Sequence, residues 1–363
     1  MSTPTNYGWQ RSSEGNHEAN QAKQDRDSTT PNSSKVAFTA WLPASLAPTK
    51  MREVDTSWRV RNPAARHLAE LGILNQGAVQ LYNDRCRDAD VRVLRCADSG
   101  VIFLESAEQT AGDYYSDPDT SAPTRLGISL EPPRPTGDET RRFAMLRDLA
   151  IGKRWVDIGA GEGHLLRMAQ QTGLTSLAVG VEPNQRKRTS ILAQGITCVN
   201  DVSDLQALPN EAFDVATLFH VLEHLHSPKE LLLNLLPSLA EDALIIIEVP
   251  HARDILLETY ECEKFKEFTL WSEHLVLHTR ESLSAVLEDV GLRVESLFGV
   301  QRYPITNHLY WLAKGGPGGH KHWESLGSPG IEAAYDAVLK SIDQTDTLIA
   351  FARHINVTER APS

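Results

Sequence analysis

The stretch VDIGAGEGH, residues 156–164, constrains this chain more than any other. It ends an apolar run, carries glycines at 159, 161 and 163, and opens a segment of helical spacing. Such a loop lets backbone approach a ligand closely and adopt positive φ. From residue 154 onward, strand-like and helix-like segments alternate. Strands are predicted at 154–158, 177–181, 197–199, 214–218 and 243–249, with helices near 163–172, 184–194 and 227–240. That alternation demands a parallel sheet covered by helices on both faces.

The glycine spacing is GxGxG, and carboxylates flank it at Asp157 and Glu162. An acid where Asp157 ends its strand would repel a pyrophosphate and attract an ammonium or sulfonium group. Glu182 ends the next strand, about 20 residues further on, where this architecture places an acid against ribose hydroxyls. Asp201 follows the third strand, positioned either to accept from an adenine amine or to cap a turn. Ribose, adenine and a cationic amino-acid tail together describe S-adenosylmethionine. A nicotinamide dinucleotide is opposed by Asp157 and by the glycine spacing.

The remaining chain is read around this unit. Residues 1–35 are rich in Ser, Thr, Asn and Gln and nearly free of aliphatics, the composition of a disordered tail. Residues 36–125 read as an accessory α+β region, with helical ARHLAELG followed by a β-meander of GAVQLYNDR, VRVLRC and GVIFLES. A Pro-rich linker leads to a helix at 138–150, and the ligand-binding domain is bounded at 138–315. A helix is predicted at 279–291, with a Thr cap and a Gly stop. LRVESLFGV and NHLYWLAK are then read as an antiparallel strand pair, because the connection is too short for a parallel crossover. Residues 316–363 are assigned to a glycine-rich loop and a final helix over 330–354.

Composition narrows the partners. A net charge of −12 disfavours a polyanion, so nucleic acid is not expected. The longest aliphatic run is too short to span a bilayer, and the N-terminus lacks the apolar core of a signal peptide, so a cytoplasmic location is expected. The four cysteines form no CxxC pair and the histidines of HVLEHLHSP lack an HExxH frame, so no metal site is expected. A small-molecule substrate fits, and a homodimer is left open.

With VDIGAGEGH, GVEPN, FDVATLFHVLEHLHSP and LIIIEVPH on view, the chain over about 150–315 resembles the class I S-adenosylmethionine-dependent methyltransferases. The resemblance implies a Rossmann-like, seven-stranded, mostly parallel sheet with a terminal antiparallel strand. It implies that Asp157, Gly159, Ala160 and Gly161 hold the methionine end, Glu182 the ribose and Asp201 the adenine. His220 would lie beside the methyl donor.

HVLEHLHSP supplies Glu223 and His224, and LWSEHLVLHT supplies Glu273 and His274. The Glu-His pair at 273–274 is similar to an element of methyltransferases acting on nucleotide-linked sugars. Two departures weigh against C-methylation: Trp271 stands where C-methylating members carry tyrosine, and only Cys86 and Cys96 fall where they carry a cysteine-rich zinc module. His224 or His274 is the candidate general base, oriented by Glu223 or Glu273, with a buried structural pair as the plainer alternative. Tyr303, Asn307, Tyr310 and His320 crowd around a glycine-rich loop and suit a polyhydroxylated acceptor. The HxYWL and GGPGGH elements resemble tails of surface-polysaccharide methyltransferases. AGDYYSDPD resembles a segment preceding the core in the same group, read as a lid or as an ordinary surface loop. The expected reaction is methyl transfer to a sugar or glycan-precursor hydroxyl. A quinone, lipid or secondary-metabolite acceptor, or a non-catalytic adenosyl-binding role, are the alternatives.

Overall fold

The computed structural model describes residues 54–112, 114–116, 137–209 and 212–354, all within one compact unit spanning Lys50–Ser363. The predicted tail at 1–35 lies outside the described residues, as do the prolines of the linker and residues 113 and 117–119 of AGDYYSDPD. None of the described helices is long and apolar enough to cross a membrane.

Eleven strands are described, in two sheets. The smaller sheet contains β1 (Val79–Asn83), β2 (Val93–Cys96), β3 (Ile102–Leu104) and β9 (Val276–Leu277), in that order and antiparallel throughout. The larger contains β4 (Arg154–Ile158), β5 (Leu177–Val181), β6 (Thr197–Val199), β7 (Phe213–Phe219), β8 (Leu239–Pro250), β10 (Leu292–Val300) and β11 (Thr347–His354), in the order β10-β11-β8-β7-β4-β5-β6. Strands β4 to β8 pair in parallel, and β11 runs antiparallel to both β8 and β10. This is the Rossmann-like, mostly parallel arrangement expected.

The pleat explains why the parallel strands are apolar on both sides. Val156, Ile158, Ile245 and Ile247 join one buried cluster, while Trp155, Val215, Leu244 and Ile246 join another. Helices His164–Thr172 and Gln185–Leu192 connect the first three strands, and Pro228–Leu235 follows β7. The helix Arg280–Asp289 starts on a Thr279–Ser282 capping box and is followed by Gly291 at φ 85°, as the sequence predicts.

Two predicted elements are corrected. NHLYWLAK belongs to a helix, Ile305–Lys314, and not to a strand. Its buried residues Asn307, His308 and Trp311 fall at i, i+1 and i+4, one helical face, and Trp311 packs on Phe265 and Phe268 at ring separations of 5.3 and 5.1 Å. The final segment is not one helix over 330–354. The helix Pro329–Ser341 stops, and β11 follows. The antiparallel partner of LRVESLFGV is therefore TLIAFARH, which also pairs with β8, so the segment assigned as a terminal appendage completes the main sheet.

The meander is tied into the same core. Trp58, Leu94 and Phe103 share a cluster with Val156 and Ile158 of the main sheet. Asn62 Nδ2 donates to the carbonyls of Leu104 and Leu275, at 2.7 and 3.2 Å, joining β3 to the residue before β9.

Because β11 is the hydrogen-bonded link between β8 and β10, a chain ending after Ser341 should show no cooperative unfolding transition by circular dichroism. Leu348 is fully buried, and Leu348→Ala should cost about 2–5 kcal/mol in a urea titration, the range for truncating a core aliphatic.

Candidate active site at the junction of two cavities

The glycine loop leaves β4 with Gly159, Gly161 and Gly163 at φ 70°, 58° and 71°. At Gly159 a Cβ would stand 2.6 Å from Val221 Cγ2, so both space and conformation require glycine there. The loop is held by its neighbours. The Gly159 and Ala160 amides donate to Val181 O at 2.8 and 3.0 Å, and the Gly161 amide donates to Glu182 Oε2 at 2.8 Å. Glu182 Oε1 accepts from the Asn184 amide at 2.9 Å. Burial raises the Glu182 pKa.

Gly159, Gly161, Glu182, Asp201 and His220 all line a cavity of about 510 Å³ at the C-terminal ends of β4 and β5. Asp201 also caps the turn behind it, its Oδ1 accepting from the Ser203 amide at 2.9 Å. Asp201 thus lines the cavity and caps the turn at once.

Asp157 is not among the residues lining this cavity. It is buried behind the loop, where Oδ1 accepts a 2.6 Å hydrogen bond from Thr217 Oγ1. Burial pushes its pKa up to about 7, against the pull of the Thr217 hydrogen bond. Asp157 therefore braces the loop through Thr217. Ala160 is likewise not among the lining residues.

A second cavity, of about 420 Å³, adjoins the first. His220, His224 and Trp271 line both, and His274, Tyr303, Asn307 and His320 line the second. Glu273 lines the first, and its Oε1 accepts from Tyr114 Oη at 2.7 Å. Tyr115, beside it, lines the first cavity and places its hydroxyl 3.4 Å from His224 Nδ1.

Tyr310 lies outside both cavities. It stacks on His322 at 5.3 Å and meets Trp323 edge-on. Asn307 also does structural work: its Oδ1 accepts from the Gly318 and Gly319 amides at 3.3 and 3.2 Å. Gly319 is required because a Cβ there would meet Thr306 O at 2.4 Å and Asn307 Cα at 2.7 Å. His320 and His322 of GGPGGHKHW thus sit on the short helix Gly319–His322, packed against the preceding helix.

His220 has φ 56°, an uncommon conformation for a non-glycine residue. Its amide donates to Glu248 O at 2.8 Å. Its ring is bracketed, with Nδ1 at 2.9 Å from Glu223 Oε1 and Nε2 at 3.3 Å from Glu248 Oε1. Burial alone would lower its pKa, but the two carboxylates raise it overall. The ring is thus fixed between two acids.

Glu248 is fully buried in the apolar run of β8 and also receives Arg141 and Arg142, at 2.8 and 2.6 Å. Arg302 reaches His220 Nε2 at 3.3 Å and is anchored on Asp346 at 3.1 Å. Sequence reasoning missed these residues. The available signal was a carboxylate inside ALIIIEV, because a lone charge is almost never buried unpaired.

Glu223 is fully buried in a short turn, Leu222–His224, after β7. Burial would raise its pKa, but the hydrogen bond and charge of His220 pull it down to about 2. His274 is brought to this turn by backbone, since the Leu275 amide donates to Glu223 O at 2.8 Å. The His274 ring meets His224 at 5.0 Å and Trp271 at 5.4 Å. Burial, then the neighbouring His224, holds the His274 pKa well below the usual histidine value, so it is neutral. The meander supports this segment from outside: Asp88 accepts from the Ser272 amide and hydroxyl at 2.9 and 3.0 Å. Thus Glu223, His224, Glu273 and His274, from two distant motifs, form one cluster.

Residues 133–297 match the model of a methyltransferase domain. No curated protein matches the chain. Among solved structures, a SAM-dependent methyltransferase from Archaeoglobus fulgidus is 20% identical with a TM-score of 0.40, the match covering 64% of this chain and 97% of that one. An S-adenosylmethionine-dependent methyltransferase from Mesorhizobium loti is 16% identical with a TM-score of 0.37, the match covering 60% of this chain and 97% of that one. The domain match supports a methyltransferase. It does not extend to the narrower sugar-methylating group.

Glu248→Gln leaves two arginines and His220 facing a neutral amide, which should destabilise the fold by about 3–5 kcal/mol at neutral pH. The Glu248 pKa is lowered, the pull of His220 and Arg142 outweighing burial, so its stabilisation is present above the unfolded carboxylate value and lost as pH falls through the lower folded one. Urea midpoints of wild type and variant should therefore stay apart at neutral pH and converge only in acid. A gap independent of pH would count against the ionic origin.

Proposed function

We propose that this protein transfers a methyl group from S-adenosylmethionine to a hydroxyl of a small polar acceptor, a sugar or glycan precursor. The observation that carries the reading is the shared wall: His220, His224 and Trp271 line both the glycine-loop cavity and its neighbour. A donor in the first cavity and an acceptor in the second would meet there. The glycine loop, Glu182 and Asp201 suit the donor's amino-acid, ribose and adenine parts.

The acceptor cavity favours a hydroxyl-bearing ligand. His251 lines it, and its Nε2 is buried without a hydrogen-bond partner. Unpaired buried polar atoms are costly, and hydroxyls of a bound acceptor would satisfy them. Trp271 and Tyr303 offer ring faces for the C–H side of a sugar. A second reading, a more apolar acceptor such as a quinone or lipid, draws on Leu256, Leu257, Phe265 and Phe268 in the same lining.

The chemistry is an in-line displacement. The acceptor oxygen bonds the methyl carbon as the carbon–sulfur bond breaks, leaving S-adenosylhomocysteine. The hydroxyl proton passes to His224 or His274, which must come within about 2.6–3.2 Å of it. Glu223 and Glu273 orient this pair. Catalysis rests on alignment, for which the rigid two-cavity wall is suited.

His224→Ala and His274→Ala should each lower turnover by about 10²–10⁴-fold, the usual contribution of general-base catalysis, while calorimetric donor binding persists. Screening sugars, nucleotide sugars and quinones with methyl-labelled donor identifies the acceptor. Full turnover in both variants removes the base assignment, and a labelled quinone with no labelled sugar removes the sugar reading.

A further inference from the structure

We propose that Glu223, His224 and His274 bind a divalent transition-metal ion at the junction of the two cavities. The three side chains each offer one ligand atom, and these atoms all lie within 4.8 Å of one another. They come from segments about 50 residues apart in sequence, brought together by the backbone hydrogen bond from Leu275 to Glu223. A carboxylate with two imidazoles is a donor set for zinc or its neighbours. Three protein ligands leave a coordination position open, whereas magnesium and calcium prefer all-oxygen sites.

Independent observations point to a ligand at this place. Glu223 is fully buried, yet its Oε2 has no hydrogen-bond partner, and buried His274 Nδ1 has none either. The other Glu223 oxygen is occupied by His220 at 2.9 Å, which fixes the carboxylate and leaves the second oxygen available. The Tyr115 hydroxyl at His224 Nδ1 orients that ring in the same way. A metal ion would satisfy the buried carboxylate oxygen and the imidazole nitrogen together. Both ligand histidines line the acceptor cavity, so the open position would face the acceptor.

The inference rests on the methyl-transfer reading and refines its proton step. An acceptor hydroxyl bound to the ion is acidified by coordination. It then loses its proton to solvent as the methyl group arrives, while the two imidazoles hold the ion. In the metal-free protein the free imidazoles take the proton themselves.

The test uses untagged full-length protein stripped with a chelator and dialysed. Titration with cobalt(II) should give ligand-field absorption saturating at one equivalent per chain, and zinc(II) should displace the cobalt and survive gel filtration at the same stoichiometry. Glu223→Gln and His274→Ala should each lose stoichiometric binding by at least tenfold in affinity, while S-adenosylmethionine titration confirms that each variant is folded. His224→Ala replaces either variant if it does not fold. Absence of saturable binding in the wild type overturns the site, as does full binding in the variants. Donor binding without metal binding defeats this inference alone. Loss of donor binding in the wild type defeats the methyl-transfer reading whatever the metal result.

Discussion

A buried carboxylate organises the centre of this molecule. Glu248 sits in the interior of an otherwise apolar strand, where an unpaired charge would be prohibitively expensive. It is tolerated because Arg141, Arg142 and His220 converge on it. That convergence fixes the helix Gly137–Leu149 against the sheet and holds His220 in its left-handed conformation. The chain after β7 therefore leaves in one direction, and the Glu223–His224 turn is set in the wall between the cavities. Energetically such a centre is more a device for a unique arrangement than a source of net stability.

The accessory meander has a related role. Its β3 pairs with β9, two residues past His274, and Asp88 grips Ser272 just before it. The N-terminal region thus carries one half of the histidine cluster, while the glycine-loop sheet carries the other. The cluster exists only where the two sheets meet, and its geometry depends on both.

The alternating core was legible because its signals are local. The parallel strands read as apolar runs, and the glycine loop and Glu182 fall at their ends. The errors have specific physical sources. In NHLYWLAK the alternation of large residues masks a helical face at Asn307, His308 and Trp311. In TLIAFARH most residues are buried, so no period-2 pattern separates it from the helix before it; the break lies in IDQTD, where Asp343 takes φ 57°. At the site, Glu223, His224, Glu273 and His274 were selected from separate motifs, and the fold joins them. Asp157 was placed correctly on its strand, but its Thr217 partner was not legible, because alternation tells which residues are buried and not what they bond. Glu248 and Arg302 were passed over, since their importance arises from partners remote in sequence.

The position of β11 has a consequence for biosynthesis. Ile247 pairs with Ala350, so at translation rates of about 5–20 residues per second the two emerge from the ribosome roughly 5–20 s apart. In the second half of that interval β8 and β10 have both been made, while the strand that separates them has not. Each presents an open hydrogen-bonding edge, the kind that recruits other chains. The nascent protein is most exposed to misassembly just before its sheet closes, and a chaperone that shields those edges would improve its yield more than one acting on the finished fold.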